Sequence, residues 1–255
     1  MAEQLAVGLD VALAGRGLDL VALDGRRQVA MSVGHLSVAE AIRLILEDLR
    51  PAVVCIDSPA QWSTSGPRRA AERALSTLGI NSMPTPPERA STKLHDWMRV
   101  GFSIYKGLVP QYPRYRGGQV KGTAAEYFPH ASAVLLAGQI GAVKDKLPFR
   151  RLVLASHGID LGLLHTIDLV DAALGALTGL IALKSGHCWV GDAEEGAMLL
   201  PVAAIPTERL SRVIEPHQAD LGATPARRAR VAHELVGAAA ASSFPVSFDR
   251  GTMAS

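Results

Sequence analysis

The chain has 255 residues, of which 48% are hydrophobic, 5% aromatic and 20% charged, with a net charge of +2; this globular composition excludes a disordered, fibrous or small disulfide-stapled protein. No run approaches the ~20 apolar residues that cross a bilayer, and the Met-Ala-Glu-Gln start lacks the basic n-region of a signal peptide. The two cysteines, Cys55 and Cys188, lie far apart in sequence, so free thiols and a cytoplasmic location are expected.

In chain order, "LAVGLDVA", "GLDLVALDG" and "QVAMSVGH" predict three short strands, with Gly15-Arg16-Gly17 and Asp24-Gly25-Arg26 supplying turns between antiparallel neighbours. "SVAEAIRLILEDLRP" predicts a helix. Ser37 and Glu40 form a capping-box pattern, apolar residues recur at helical spacing, and Pro51 stops the run. "AVVCIDSPA" is too short and too β-branched for another helix and predicts a fourth strand. A helical crossover lets that strand return parallel to the first, which would bring Asp10 and Asp57 to the same edge of a sheet.

Residues 61–122 read as an insertion. Prolines 84, 86, 87, 110 and 113 punctuate it, "PRRAAERALSTLG" predicts a helix, and residues 62–121 hold ten Lys or Arg against three acids, with half of the chain's twelve aromatics. "AAEYFPHAS" predicts a fifth strand and "SAVLLAGQIGAV" a helix. "KDKLPFRRLVLASHG" is a basic segment read as a solvated face, "HTIDLVDAALGALTGLIALKSG" predicts a helix stopped by Gly186, and "HCWVGDAEEGAMLLPV" a terminal hairpin. A domain over 1–206 is expected. Residues 207–255 form an Ala-rich extension with a helix at "PARRARVAHELVGAAAA" and a tail of disorder-prone composition.

The carboxylates carry the chemistry. Asp168 and Asp171 lie three apart on one face of a nearly all-apolar helix, where acids are costly unless something positive meets them. Together with Asp10, Asp57 and Glu126, they make an oxygen-ligand set suited to Mg²⁺ or Mn²⁺. Two such ions support phosphodiester hydrolysis by stabilising the attacking and leaving oxygens. Taken alone, Asp57 reads as a turn former ahead of Pro59 and the helix pair as solvent-facing. In the insertion, Trp62 and Lys93 exemplify the interleaving of aromatic and basic groups that suits a single-stranded nucleic acid. Arg69 and Arg73, four apart beside Glu72, suit a phosphate or the carboxylates, set against ordinary surface helix charge as the commoner role. The alternative there is an ordinary solvated lid with an aromatic satellite core.

The segments "VGLDVA", "IDSPA", "RRAAERAL", "SMPTPP", "EYFPHAS", "DLVDAALGAL" and "GDAEEGAMLLP" occur in an order that resembles the domain of unknown function 429 family, described as predicted ribonuclease-H-like nucleases, from about Leu5 to Val202. The resemblance implies an α/β, ribonuclease-H-like mixed five-stranded sheet flanked by helices, with the basic insertion after the fourth strand. It also implies metal ligands at Asp10, Asp57 and Asp171, with Glu126 and Asp168 as further ligands or water orienters. The chain departs from that pattern at His130, where a second Glu is usual, and at Ile167, where the late helix usually doubles its Asp. His130 is a candidate proton shuttle or substitute ligand, set against a structural histidine.

The leading expectation is a metal-dependent nuclease acting on DNA or RNA. The first alternative is a non-catalytic module of the same fold that binds nucleic acid or protein. The second is a nucleotide- or sugar-phosphate enzyme of the actin-kinase superfold, because "GLDVALAGRG" is similar to its first phosphate loop; that reading predicts ATP binding.

Overall fold

The computed structural model describes residues 4–13, 15–141, 146–184 and 186–212. The three opening runs form β1 (Ala6–Val11), β2 (Leu18–Leu23) and β3 (Val29–Leu36), which pair antiparallel. The helix α1 (Val38–Arg43) starts as expected: Ser37 and Glu40 cap each other reciprocally. Its last turns, Leu44–Leu49, widen to π spacing and end at Arg50 in a left-handed conformation. The crossover then delivers β4 (Val53–Asp57) parallel to β1, with Asp10 and Asp57 as direct Cα partners.

Between β4 and β5 lie α2 (Ala70–Thr77), two short 3₁₀ turns and α3 (Asp96–Leu108). Only three residues of "AAEYFPHAS" are strand, β5 (Ala124–Glu126). Proline has no N–H for a ladder and suits the first turn of a helix, so Pro129 opens α4 (Pro129–Ala137), and His130 stands on that helix and not on a strand. Residues 146–156 form α5 (Lys146–Ser156), followed by α6 (Ile167–Leu183) and the hairpin β6 (Cys188–Asp192) and β7 (Gly196–Leu200). The helix expected over 225–241 and the tail beyond it lie outside the described residues.

Among the described residues the sheet has seven strands, not five, in the order β3-β2-β1-β4-β5-β7-β6. β7 pairs parallel with β5, so the terminal hairpin extends the sheet by two strands. Side chains alternate between the two faces. Ala6, Val53, Cys55 and Ala125 pack with α6, whereas Val7, Leu9, Val54, Ile56 and Ala124 pack with α1 and α3. A third cluster joins α2, α4 and the hairpin through Leu75, Val134 and Met198.

Gly8 sets how closely α6 lies on the sheet. A Cβ there would stand 1.9 Å from the Ala172 carbonyl oxygen and 2.5 Å from the Ala176 nitrogen, both backbone atoms that cannot yield without moving the helix. Because Asp10 follows Gly8 by two and Asp171 precedes Ala172, this close approach brings strand acid and helix acid together. Gly8→Ala is expected to cost at least ~3 kcal/mol, read as a fall in the midpoint of urea unfolding.

Candidate active site

Residues two apart on a strand share a face. Asp10 lies beyond Gly8 and Asp57 beyond Cys55, so both carboxylates point to the α6 side, side by side at the carboxyl ends of neighbouring parallel strands. Asp171, buried on α6, and the half-buried Asp168 one turn before it approach from the helix. A fifth acid belongs here that sequence reasoning missed. Asp19 is the Cα partner of Asp10 across the β1–β2 ladder and is buried. The repeated Gly-Leu-Asp of "GLDVA" and "GLDLV" was the available signal, since antiparallel partners share a face.

Arg150 is the cation that meets these acids. It is buried on α5, and its Nη1 donates to both carboxylate oxygens of Asp171. Tyr127, whose hydroxyl donates to the Asp171 carbonyl at 2.8 Å, holds the same turn of α6. Arg150 belongs to the segment read as a solvated basic face; its apolar neighbours Leu147, Val153 and Leu154 were the sign that this helix packs inward.

With Asp10, Asp57 and Asp171 all ionised, one guanidinium leaves the cluster two negative charges in excess. The consequence is visible in the acids' proton affinities. Burial, then the charges of Asp171, Asp168 and Asp19, push Asp10 up to about 8 against the pull of Arg150. Burial, then Asp10 and Asp171, push Asp57 well above the carboxylate range. Burial raises Asp171 to about 6 even though Arg150 opposes it by charge and hydrogen bond. His130 is moved the other way: burial, then Arg150, Lys146 and Arg212, lower it to about 4, so its imidazole is neutral at pH 7.

Glu126 does not join this cluster. It shares the parity of Ala124 and faces the opposite side of the sheet, where it is buried against Arg69. Arg69 donates to Glu126 at 2.7 and 2.5 Å and through Nε to Glu72 at 3.0 Å. Arg69 and Arg73 are therefore not a pair: Arg69 is 2% exposed and committed to two carboxylates, whereas Arg73 is exposed and caps the Arg68 carbonyl. Trp62 packs edge-on against Phe102, ring centres 4.9 Å apart, beneath the Arg99 guanidinium. Lys93 is exposed on a 3₁₀ turn. Tyr105, Tyr112 and Tyr115 are buried, with Tyr105 and Tyr112 hydrogen-bonded to the Ser58 and Pro51 carbonyls. Half the aromatics of the basic stretch are thus core and not stacking surface.

Glu195, also missed from the sequence, ties the β6–β7 turn to residues 63–65 after β4. It is buried in the β6–β7 turn and accepts from Ser63 Oγ, Thr64 N, Ser65 N and Ser65 Oγ at 2.8–2.9 Å. Burial works to raise its pKa, but the hydrogen bonds from Ser65, Thr64 and Ser63 outweigh it and hold the carboxyl at about 2. A depressed carboxylate stabilises the fold above its unfolded pKa and stops doing so as pH falls through the folded value. Glu195→Gln is expected to cost ~2 kcal/mol at pH 7. The gap from wild type should close as pH drops from about 4 toward 2, measured by thermal unfolding across that window.

The acid cluster fits a hard divalent cation in donor type and in charge. Its present geometry does not close around one: among the described residues no three His, Cys, Asp or Glu side chains are disposed to hold a metal ion, and Asp171 is turned onto Arg150. Among the described residues no helix is long and apolar enough to cross a membrane, and Cys55 and Cys188 are free.

No curated protein and no solved structure matches the chain. A family model, described as a protein of unknown function (DUF429), matches residues 8–195. That match takes in both strand acids, the helix acids, Arg150 and Glu195, and the chain belongs to the DUF429 family.

Proposed function

We propose that the chain is a metal-dependent nuclease on a ribonuclease-H-like sheet. Asp10 and Asp57 would be the primary holders of Mg²⁺ or Mn²⁺, and Asp171 would join them by exchanging Arg150 for the ion. The observation that carries this reading is the in-register placement of Asp10 and Asp57, with Asp171 opposite them on α6. When bound, such an ion activates water and stabilises the leaving oxygen of a phosphodiester. The chain's own residues would do the rest: Asp168 and Asp19 add negative potential, and Arg150, once released from Asp171, is a donor for a phosphate oxygen. The exposed Arg73, Arg89, Lys93, Lys106 and Lys121 support a polyanionic substrate.

The test is Mn²⁺-dependent cleavage of single strands, RNA–DNA hybrids and branched DNA by the wild type and by the Asp10→Asn/Asp57→Asn double variant. At least a 100-fold loss of rate is expected in the variant; unchanged cleavage overturns the reading. One observation favours a non-catalytic nucleic-acid-binding module instead, namely the Arg150 clamp on Asp171. That module would bind the same strands with no change in affinity when Mn²⁺ is added.

A further inference from the structure

Beyond Asp57, the one member of the acid cluster on its wall, a cavity of about 260 Å³ opens between the strand ends and helices α2 and α3. Its walls include Asp57, Ser82, Met83, Trp97, Glu126 and Phe128. The volume is just under the ~300–1,000 Å³ of ordinary ligand pockets, room for one ring system with little to spare. The walls are of two kinds. Trp97, Phe128 and Met83 offer aromatic and thioether surfaces, which favour a flat π-face. Between them stand hydrogen-bonding groups, including the Glu126 carboxylate and the side chains of Ser82 and Thr85. The Ser82 hydroxyl is buried, with no hydrogen-bond partner among the described residues.

Charge decides which part of a nucleotide would enter. Among the described residues the only cation on the wall, Arg69, is already shared between Glu72 and Glu126, so the cavity offers a phosphate repulsion and no counter-charge. A nucleobase differs: its ring and amino N–H groups donate to carboxylate oxygens, and its faces stack. Met83, on the same wall, is 52% exposed.

We infer that this cavity receives the base of one nucleotide, so that the adjoining phosphate falls at Asp57 and the acid cluster. The inference rests on the nuclease reading for its choice of ligand, and it specifies that cleavage requires an unpaired, extruded base next to the scissile bond. Unpaired strands or branch points, not the interior of a duplex, are then the substrates.

Calorimetric titration with adenosine, guanosine, cytidine and uridine, in EDTA and with ribose and spermidine as controls, tests the cavity apart from the chemistry. At least one nucleoside is expected to bind saturably, equally well in Asp10→Asn, and about 10-fold or more weakly in Trp97→Ala and in Ser82→Leu, which fills the space. No nucleoside binding, equal binding of ribose or spermidine, or unchanged affinity in Ser82→Leu overturns the inference. Cleavage that needs Asp10 without nucleoside binding removes the pocket alone. Nucleoside binding with cleavage indifferent to Asp10 removes the nuclease reading alone.

Discussion

In metal-free buffer at pH 8, the Asp10→Asn/Asp57→Asn variant is expected to melt above the wild type. The reason is linkage. Asp10 has a folded pKa of about 8 against ~3.9 for an unfolded aspartate, so the folded state holds its proton more tightly. Its contribution to stability is complete below pH ~4 and is lost as pH rises toward 8, at up to ~1.4 kcal/mol per pH unit. Asp57 shifts in the same direction for the same causes, burial first and then its acid neighbours. Asn carries no such charge, so the variant escapes the loss. Allowing for the partial exposure of Asp10, the gain should be about 2–4 kcal/mol at pH 8, or about 4–16 °C at 2–4 °C per kcal/mol, vanishing near pH 4. A variant less stable than wild type at pH 8 would mean that the two carboxylates are held by favourable contacts and not forced together.

Arg150→Met should do the opposite. Truncating one partner of a buried ion pair leaves the other charge uncompensated, at ~3–5 kcal/mol. Here the orphan is Asp171, buried and already raised to about 6 by that burial in spite of Arg150. The loss should be full at pH 8 and smaller at pH 5, where Asp171 takes up a proton. If Arg150 and a divalent ion compete for Asp171, millimolar Mn²⁺ should restore much of the lost melting temperature and stabilise the variant more than the wild type. His130, freed of one repelling charge, should titrate above its present value of about 4, which its ring proton resonances would report. A variant whose stability does not respond to Mn²⁺ at all would show that Arg150 is simply a structural partner.

The centre of the sheet was legible because its signals are local. Apolar runs ending on acids marked β1 and β4, the Ser37–Glu40 box marked α1, and a helical crossover requires a parallel return, which together gave the Asp10–Asp57 register. The strands read along the chain already numbered seven, with the hairpin included. The figure of five came from the resemblance, and nothing local says that β7 docks on β5 to extend the sheet. Glu126 was misjudged because face parity within a strand is readable but parity between parallel strands depends on register, and β5 is only three residues long. Arg150 and Arg69 were hidden for a different reason. A buried arginine and a solvated one have the same local sequence signature, and only the tertiary fold puts Arg150 under Asp171 and Arg69 between Glu72 and Glu126.

We read Asp10, Asp57 and Asp171 as the site of one divalent cation. Calorimetric titration of the full chain with Mn²⁺ at pH 7.5, repeated in buffers of different ionisation enthalpy, tests it most directly. Saturable binding with net proton release is expected, because Asp10 and Asp57 hold protons that the ion must displace, with no binding in the Asp10→Asn/Asp57→Asn variant. Absence of binding even with an oligonucleotide present, or equal binding by the double variant, would contradict it.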